Sequence, residues 1–248
     1  MRLLILAGTR EARALARDLA EETSHAVIVS LAGAVARPAP QDGRLRIGGF
    51  GGAEGLAAFL RDEAIEAVID ATHPFAARIS ANAVKACAAA CVPLVRLERP
   101  PWRAETGDRW IEVADLAAAV AALPPGARPF LAIGRQEIGA FAGRTDLVCL
   151  MRMIDPPAPD QLLPRGRLVL ARPSGDPDVE RRLLAGHGAT HVVAKNSGGA
   201  AGAAKIVAAR DLGLPVILVR RPSLPRAETV ADVAGALAWI ADRAGQVR

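Results

Sequence analysis

The 248-residue chain contains no tyrosine, and its five phenylalanines and three tryptophans hold the aromatic share to 3%. Without tyrosine the Tyr–Lys pair by which short-chain dehydrogenases move a proton cannot be built. Single-stranded nucleic acid is gripped by stacking bases on aromatic side chains, so a nucleic-acid partner is not expected. No Gly-x-Ser-x-Gly elbow occurs, which leaves covalent hydrolysis without a visible nucleophile. Cysteine is scarce. Cys87, Cys91 and Cys149 are too few and too odd in number for a disulfide framework, and they fit a reducing cytoplasm. Cys87 and Cys91, four apart on a predicted helix, read as small core residues. His25, His73, His187 and His191 fall into no metal-ligand spacing, so no metal is expected. No segment approaches the roughly 18 apolar residues of a membrane span. The apolar run at the N-terminus is too short for a secretory signal.

Hydrophobic residues make up 51% of the chain and charged residues 23%, the balance of a packed globular core. Thirty-one basic residues against 26 acidic ones leave a net charge of +5. That surplus favours an anionic partner without choosing between phosphates and carboxylates.

Short apolar runs alternate with helical patterns. Leu3–Ala7, His25–Leu31, Leu45–Ile47, Ala67–Ala71 and Pro93–Leu97 read as strands, with helices at Thr9–Glu21, Gly51–Glu63 and Pro74–Ala90. The pattern then restarts. Pro129–Ile133, Arg167–Ala171, His191–Ala194 and Pro215–Val219 read as strands. Glu137–Phe141, Pro177–Gly186, Gly199–Leu212 and Val230–Ala244 read as helices. This order predicts an α/β fold with parallel sheets covered by helices on both faces.

Two landmarks repeat. Gly8-Thr9-Arg10-Glu11 follows the first strand, and Gly134-Arg135-Gln136-Glu137 follows the first strand of the second half. Pro93–Pro100 and Pro215–Pro222 are a second matched pair, each closing on Arg-Pro. They predict two Rossmann-like domains of similar topology, residues 1–100 and 101–248, with strands near the Arg99–Gly107 junction open to sharing.

The candidate ligand groups sit where strands turn into helices, where backbone N–H groups and the helix dipole favour anions. In Gly8-Thr9-Arg10-Glu11, Gly8 permits close approach of a phosphate, Thr9 caps or donates, and Arg10 adds charge. The dinucleotide fingerprint has three spaced glycines and this turn has one, so an ordinary helix start is the competing reading. An NAD enzyme commonly places an acid after its second strand to hold the ribose. No Asp or Glu occurs between Glu22 and Asp42; Ser30, Gly33 and Arg37 stand there instead, which suits a 2′-phosphate and favours NADPH. Gly49, Phe50, Gly51 and Gly52 form a loop that can fold closely on a cofactor, with Phe50 beside adenine or ribose. Thr72, His73 and Pro74 close the fourth strand, Pro74 as first helical residue. Thr72 and His73 are placed to contact the nicotinamide or the second phosphate. In the second half, Lys195, Asn196 and Ser197 precede two glycines at a helix start, and Arg135, Gln136, Arg172 and Lys205 are predicted to converge with them on carboxylates or phosphates.

Taken together these segments resemble the precorrin-6A reductase family of cobalamin biosynthesis. The resemblance is carried by Gly8–Arg13, Gly48–Gly52, Asp70-Ala71-Thr72-His73-Pro74-Phe75-Ala76, Arg96–Pro100, Ile133–Glu137 and Lys195–Gly199, in the family's order. The chain departs from it at Ala7, where glycine is frequent, and at Arg172-Pro173-Ser174-Gly175, where a Gly-Pro-Phe type of sequence is expected. The resemblance implies NADPH-dependent reduction of a double bond in precorrin-6A, a polycarboxylate tetrapyrrole, giving precorrin-6B. It implies NADPH on the first half and the macrocycle in a cleft between the halves. His73, a nearby acid or water is then the proton donor. Two other readings keep the same fold: an NADPH reductase of a different acceptor, and a nucleotide-responsive binding protein without turnover.

Overall fold

The computed structural model describes residues 1–22, 24–32 and 42–246. Two compact units divide the chain. The first comprises residues up to Pro100 together with those from Pro222 onward, and the second runs from Pro101 to Arg221.

In the first unit β1 (Arg2–Leu6), α1 (Arg10–Glu21), β2 (Ala26–Leu31), β3 (Arg44–Ile47), α2 (Gly52–Asp62), β4 (Ala67–Asp70), α3 (Ala77–Ala90) and β5 (Leu94–Leu97) follow in order. The second unit contains β6 (Trp110–Val113), α4 (Leu116–Ala121), β7 (Pro129–Ala132), a 3₁₀ turn (Arg135–Phe141), β8 (Cys149–Met153), β9 (Gly166–Leu170), α5 (Pro177–His187), β10 (His191–Lys195), α6 (Ala200–Asp211) and β11 (Val216–Val219). The chain then returns to the first unit with β12 (Glu228–Val230) and α7 (Val233–Gln246).

Each unit holds a six-stranded sheet in which every pairing is parallel. The orders are β12-β5-β4-β1-β2-β3 and β6-β11-β10-β7-β8-β9. Both match the doubly wound 3-2-1-4-5-6 arrangement. In a simple tandem the sixth strand of each sheet would follow its own fifth. Here β6, which follows β5, adds to the second sheet beside β11, and β12, which follows β11, adds to the first sheet beside β5. The sixth strands are exchanged, and the two exchanges begin at the repeated landmarks Arg99-Pro100 and Arg221-Pro222.

The alternation of β1 shows why these runs are continuously apolar. Leu3 and Ile5 pack under Leu15 and Leu19 of α1 and Trp239 and Ile240 of α7. Leu4 and Leu6 pack on the opposite face under Leu56 and Leu60 of α2 and Cys87 of α3. Both faces are dry, as parallel sheets require, and each such side chain contributes about 1.5–3 kcal/mol by leaving water. In the second unit Phe130, Leu150, Val192 and Leu218 pack under Leu184 of α5 and Ile206 of α6.

Two expectations are corrected. The segment after Pro222 does not continue the second domain, because Ala236, Trp239 and Ile240 of α7 belong to the first unit's core and β12 completes that sheet's edge. Nor is Pro74 the first residue of a helix. Residues His73–Ala76 form a tight turn closed by the Ala76 N–H on the His73 carbonyl at 2.7 Å, and α3 begins at Ala77. Proline is well suited to the second position of such a turn.

Candidate functional site

Many of the sequence-predicted residues that the structure describes lie just after the carboxyl ends of parallel strands in the two units, where open α/β sheets take their ligands. In the first unit Thr9 caps α1: its Oγ1 accepts the Ala12 N–H at 3.1 Å and donates to the Ala71 carbonyl at 2.9 Å. This hydroxyl therefore ties the turn after β1 to the end of β4. Glu11 receives the Arg99 guanidinium at 2.7 Å, while Gly8 and Arg10 are exposed.

The glycine-rich loop is built for close approach. Gly51 and Gly52 have φ of 78° and 95°, values that favour glycine. Gly49 has no positive φ, and a Cβ there would meet nothing within 4 Å. The chain's own packing does not demand glycine at 49, so the open space is available to a ligand. Gly55, inside α2, is different: a Cβ would lie 1.8 Å from the Phe50 carbonyl oxygen. Gly55→Ala is therefore expected to destabilise the protein by about 1–3 kcal/mol through overpacking, against the gain of up to ~1 kcal/mol that this change gives in an open helix. Urea denaturation measures the sign.

One face of the half-buried Phe50 ring is taken within the protein. The Arg46 guanidinium lies 3.7 Å from its ring centroid, and Phe59 meets it edge-on at 5.1 Å. Arg46 also donates to the carbonyls of Gly48 and Gly49 at 2.6 and 2.8 Å and lies 3.5 Å from the Ser30 hydroxyl. These partners are all neutral, and burial draws the Arg46 pKa down. A guanidinium thus stands beside Ser30 at the end of β2. Sequence reasoning missed it and named Gly33 and Arg37, which lie outside the described residues. The available signal was spacing: Arg46 lies in the strand that pairs with β2, directly opposite Ser30, and precedes Phe50 by four residues.

The turn after β4 is fixed by a buried polar chain. The Thr72 N–H and O–H both donate to Asp70 Oδ1, at 3.2 and 2.6 Å, and Thr72 Oγ1 lies 3.3 Å from Ser80 Oγ. Arg96 Nε lies 3.5 Å from the other oxygen of Asp70, and both residues are buried. The Thr72 hydroxyl is thus engaged within the protein. His73 Nδ1 accepts the Phe75 N–H at 3.3 Å, which places the proton of the neutral ring on Nε2.

In the second unit the structure brings Lys195, Arg135 and Gln136 together around adjacent strands β10 and β7. Lys195 pairs with Glu137, Arg135 donates to the Pro156 carbonyl at 3.2 Å, and Gln161 donates to the Arg135 carbonyl. Arg135, Gln136, Ala158, Asp160 and Gln161 line a shallow depression of about 410 Å³. Asp160 and Gln161 lie in a proline-rich connection that carried no chemical signal in the sequence. Arg172 is exposed beyond β9, two strands from β7, and does not join this group. Asn196 and Lys205 are turned inward. The Asn196 amide exchanges hydrogen bonds with the Trp102 backbone at 2.8 and 3.1 Å. The Lys205 ammonium donates to the Gly202 carbonyl at 2.6 Å and lies 4.7 Å from the Trp102 ring centroid. Ser197 is half-buried in the same loop.

Residues 2–241 match the family model of the precorrin-6x reductase CbiJ/CobK. The chain belongs to this family. Among the relatives of this CbiJ/CobK chain, the precorrin-6A reductase of Rhodobacter capsulatus is 50% identical over 248 residues, covering 100% of this chain and 98% of that protein. That of Rhodococcus erythropolis is 49% identical over 241 residues, covering 96% and 97%. A solved structure of CobK precorrin-6A reductase superposes with a TM-score of 0.93 at 49% identity, covering 98% of this chain and 96% of the other. The exchanged doubly wound units are thus the architecture of a CbiJ/CobK reductase.

Proposed function

We propose that the protein reduces precorrin-6A to precorrin-6B in the aerobic route to cobalamin, with NADPH as the reductant. The observation that supports this most strongly is half identity to a precorrin-6A reductase over essentially the full length of both chains. The cofactor supplies a hydride to one carbon of a macrocyclic double bond, and a proton completes the saturated bond. The residues of the first unit suit the dinucleotide. The α1 N-terminus and Gly8 accept the pyrophosphate, Gly49–Gly52 admit the ribose, and the Thr72–His73 turn borders the nicotinamide. His73, with its proton on Nε2, is the side chain in that turn suited to proton delivery. Lys195, Arg135, Gln136 and Ser197 of the second unit take carboxylates of the macrocycle. Asn196 and Lys205 serve the loop that presents them, and Arg172 takes a more distant carboxylate.

Among the described residues no helix is long and apolar enough to cross a membrane. Burial pushes the Cys87 and Cys149 thiols up to about 12 and about 11, and all three cysteines are free. Free thiols suit the reducing cytoplasm in which we place the reaction.

Choice of NADPH over NADH is assigned to Arg46 with Ser30, which stand where an NAD enzyme keeps its acid; Arg37 is proposed as a further contact. The test is an absorbance assay with purified precorrin-6A and either nucleotide. Consumption of NADPH with a matched spectral change of the tetrapyrrole, and much slower reaction with NADH, is the expected result. No change with NADPH would refute the proposed activity. Arg46→Ala should weaken NADPH binding about 10- to 150-fold, the range for a hydrogen bond to a charged group. NADH binding should change little; equal losses would remove Arg46 from the 2′-phosphate role.

A further inference from the structure

The second crossing-over feature of this fold is where Trp102 lands. This residue lies just past the Arg99-Pro100 landmark, in the segment through which the chain enters the second unit. There it makes three hydrogen bonds with the Lys195–Gly199 loop. Its backbone N–H donates to Asn196 Oδ1 at 2.8 Å, its carbonyl accepts from Asn196 Nδ2 at 3.1 Å, and its indole N–H donates to the Gly199 carbonyl at 2.9 Å. The indole also covers the first turns of α6. A Cβ on Gly202 would lie 2.9 Å from the ring, and the Lys205 ammonium sits against it. At the other end of the second unit, Arg221 donates to the carbonyls of Asn196 and Ser197 at 2.9 and 3.2 Å.

Both ends of the second unit therefore grip one loop, and that loop carries Lys195 and Ser197. The first unit repeats the arrangement. The returning segment offers the Pro225 carbonyl to Arg96 at 3.2 Å, Arg96 faces Asp70, and Asp70 holds Thr72 in the turn after β4. In each unit the loop after the fourth strand is tied to the segment that has just arrived by strand exchange.

We infer that Trp102 is a positioning residue for substrate binding: it fixes the Lys195–Gly199 loop so that Lys195 and Ser197 meet the carboxylates of the tetrapyrrole. This rests on the proposed assignment of the macrocycle's carboxylates to the second unit. A loop with φ of 66° at Gly198 and 75° at Gly199 has a wide choice of conformations. Side-chain tethers narrow that choice before ligand arrives and lower the ordering cost of binding. Nothing in this role requires Trp102 to touch substrate or cofactor.

Four variants of the full-length protein test it: Trp102→Phe, which keeps a ring and loses the Gly199 bond, Trp102→Ala, Asn196→Ala, and the last two combined. Two readouts are combined, amide hydrogen exchange of residues 196–202 without ligands and steady-state kinetics with precorrin-6A and NADPH. For Trp102→Phe we expect exchange in 196–202 to accelerate at least about tenfold. The KM for precorrin-6A should rise about three- to tenfold, the worth of one net hydrogen bond, with kcat and the NADPH dissociation constant within about twofold. Trp102→Ala should be worse than Trp102→Phe on both readouts. Asn196→Ala should reproduce the KM effect, and combining it with Trp102→Ala should add less than the sum of the two, as for groups in one network. Unchanged exchange in Trp102→Ala, or faster exchange with an unchanged KM, overturns the inference. So does a defect confined to NADPH binding. If the wild-type protein fails to reduce precorrin-6A, the functional assignment fails by itself, and the inferred role in substrate binding falls with it; the exchange arm still shows whether Trp102 orders the loop.

Discussion

Glu180→Ala is expected to destabilise the second unit by about 3–5 kcal/mol, the cost of leaving one member of a buried ion pair without its partner. Glu180 is 1% exposed and receives the Arg152 guanidinium at 2.5 Å. Arg152, itself buried, lies in an otherwise apolar strand and also faces the Phe130 ring at 4.9 Å. The second Glu180 oxygen has no hydrogen-bond partner among the described residues. Whole domains are stable by only about 5–15 kcal/mol, so this one change should remove much of that margin and lower the urea midpoint clearly. The control has the opposite sign. Arg152→Met combined with Glu180→Leu removes both charges and should recover most of the loss, as apolar replacements of buried pairs do. If Glu180→Ala moves the midpoint no more than an exposed substitution, the pair contributes nothing. A second consequence is local. Glu180 Oε1 lies 3.4 Å from both the N–H and the hydroxyl of Ser174, so the pair also steadies the loop after β9 that carries Arg172.

That pair also explains what the sequence concealed. β1, β2 and β4 of the first unit are near-continuous apolar runs, and their parallel arrangement and helical cover could be read directly. β8 was missed because Arg152 interrupts its pattern, and its partner Glu180 lies 28 residues away in a helix. The edge strands β6 and β12 have four and three residues and mixed faces, so neither has the periodicity of a buried strand. Strand exchange is a long-range choice between two equivalent sheet edges. The repeated Arg-Pro landmarks mark where the chain crosses, but local pattern says nothing of which sheet each sixth strand joins. The candidate site divides in the same way. Residue type and position placed Gly8, Thr72, His73, Arg135 and Lys195 at the carboxyl ends of central strands. What the type of a residue does not reveal is where its polar atoms are spent. The Thr72 hydroxyl goes to Asp70, the Asn196 amide to Trp102 and the Lys205 ammonium to Gly202. Residue type does not distinguish Arg46 from other strand arginines; its partners Phe50 and Ser30 come from the fold.

Lys195→Ala is expected to raise the KM for precorrin-6A about 10- to 150-fold, the equivalent of a charge-assisted hydrogen bond of 1.5–3 kcal/mol, while leaving kcat and NADPH affinity nearly unchanged. Loss of binding shared by ground and transition states has that kinetic signature. The structure adds a second, opposite expectation, because Lys195 is already paired with Glu137 from the turn after β7. If Lys195 takes a substrate carboxylate as proposed, Glu137 competes for the same ammonium and repels the substrate's charge. Glu137→Gln should therefore lower the KM or leave it unchanged, and never imitate Lys195→Ala. Salt gives an independent check, since the attraction between a cation and an approaching carboxylate is screened beyond about 8 Å at physiological ionic strength. The KM of the wild-type protein should rise with added salt, and that of Lys195→Ala should rise less steeply. A Lys195→Ala variant whose defect lies in kcat would instead place the ammonium at the reacting atoms, for example as the source of the proton. One whose defect lies in NADPH binding would contradict the division of labour between the two units. A Glu137→Gln variant as impaired in KM as Lys195→Ala would show that the pair acts as one structural element, with Lys195 holding the Gly134–Glu137 turn in place and not meeting the macrocycle.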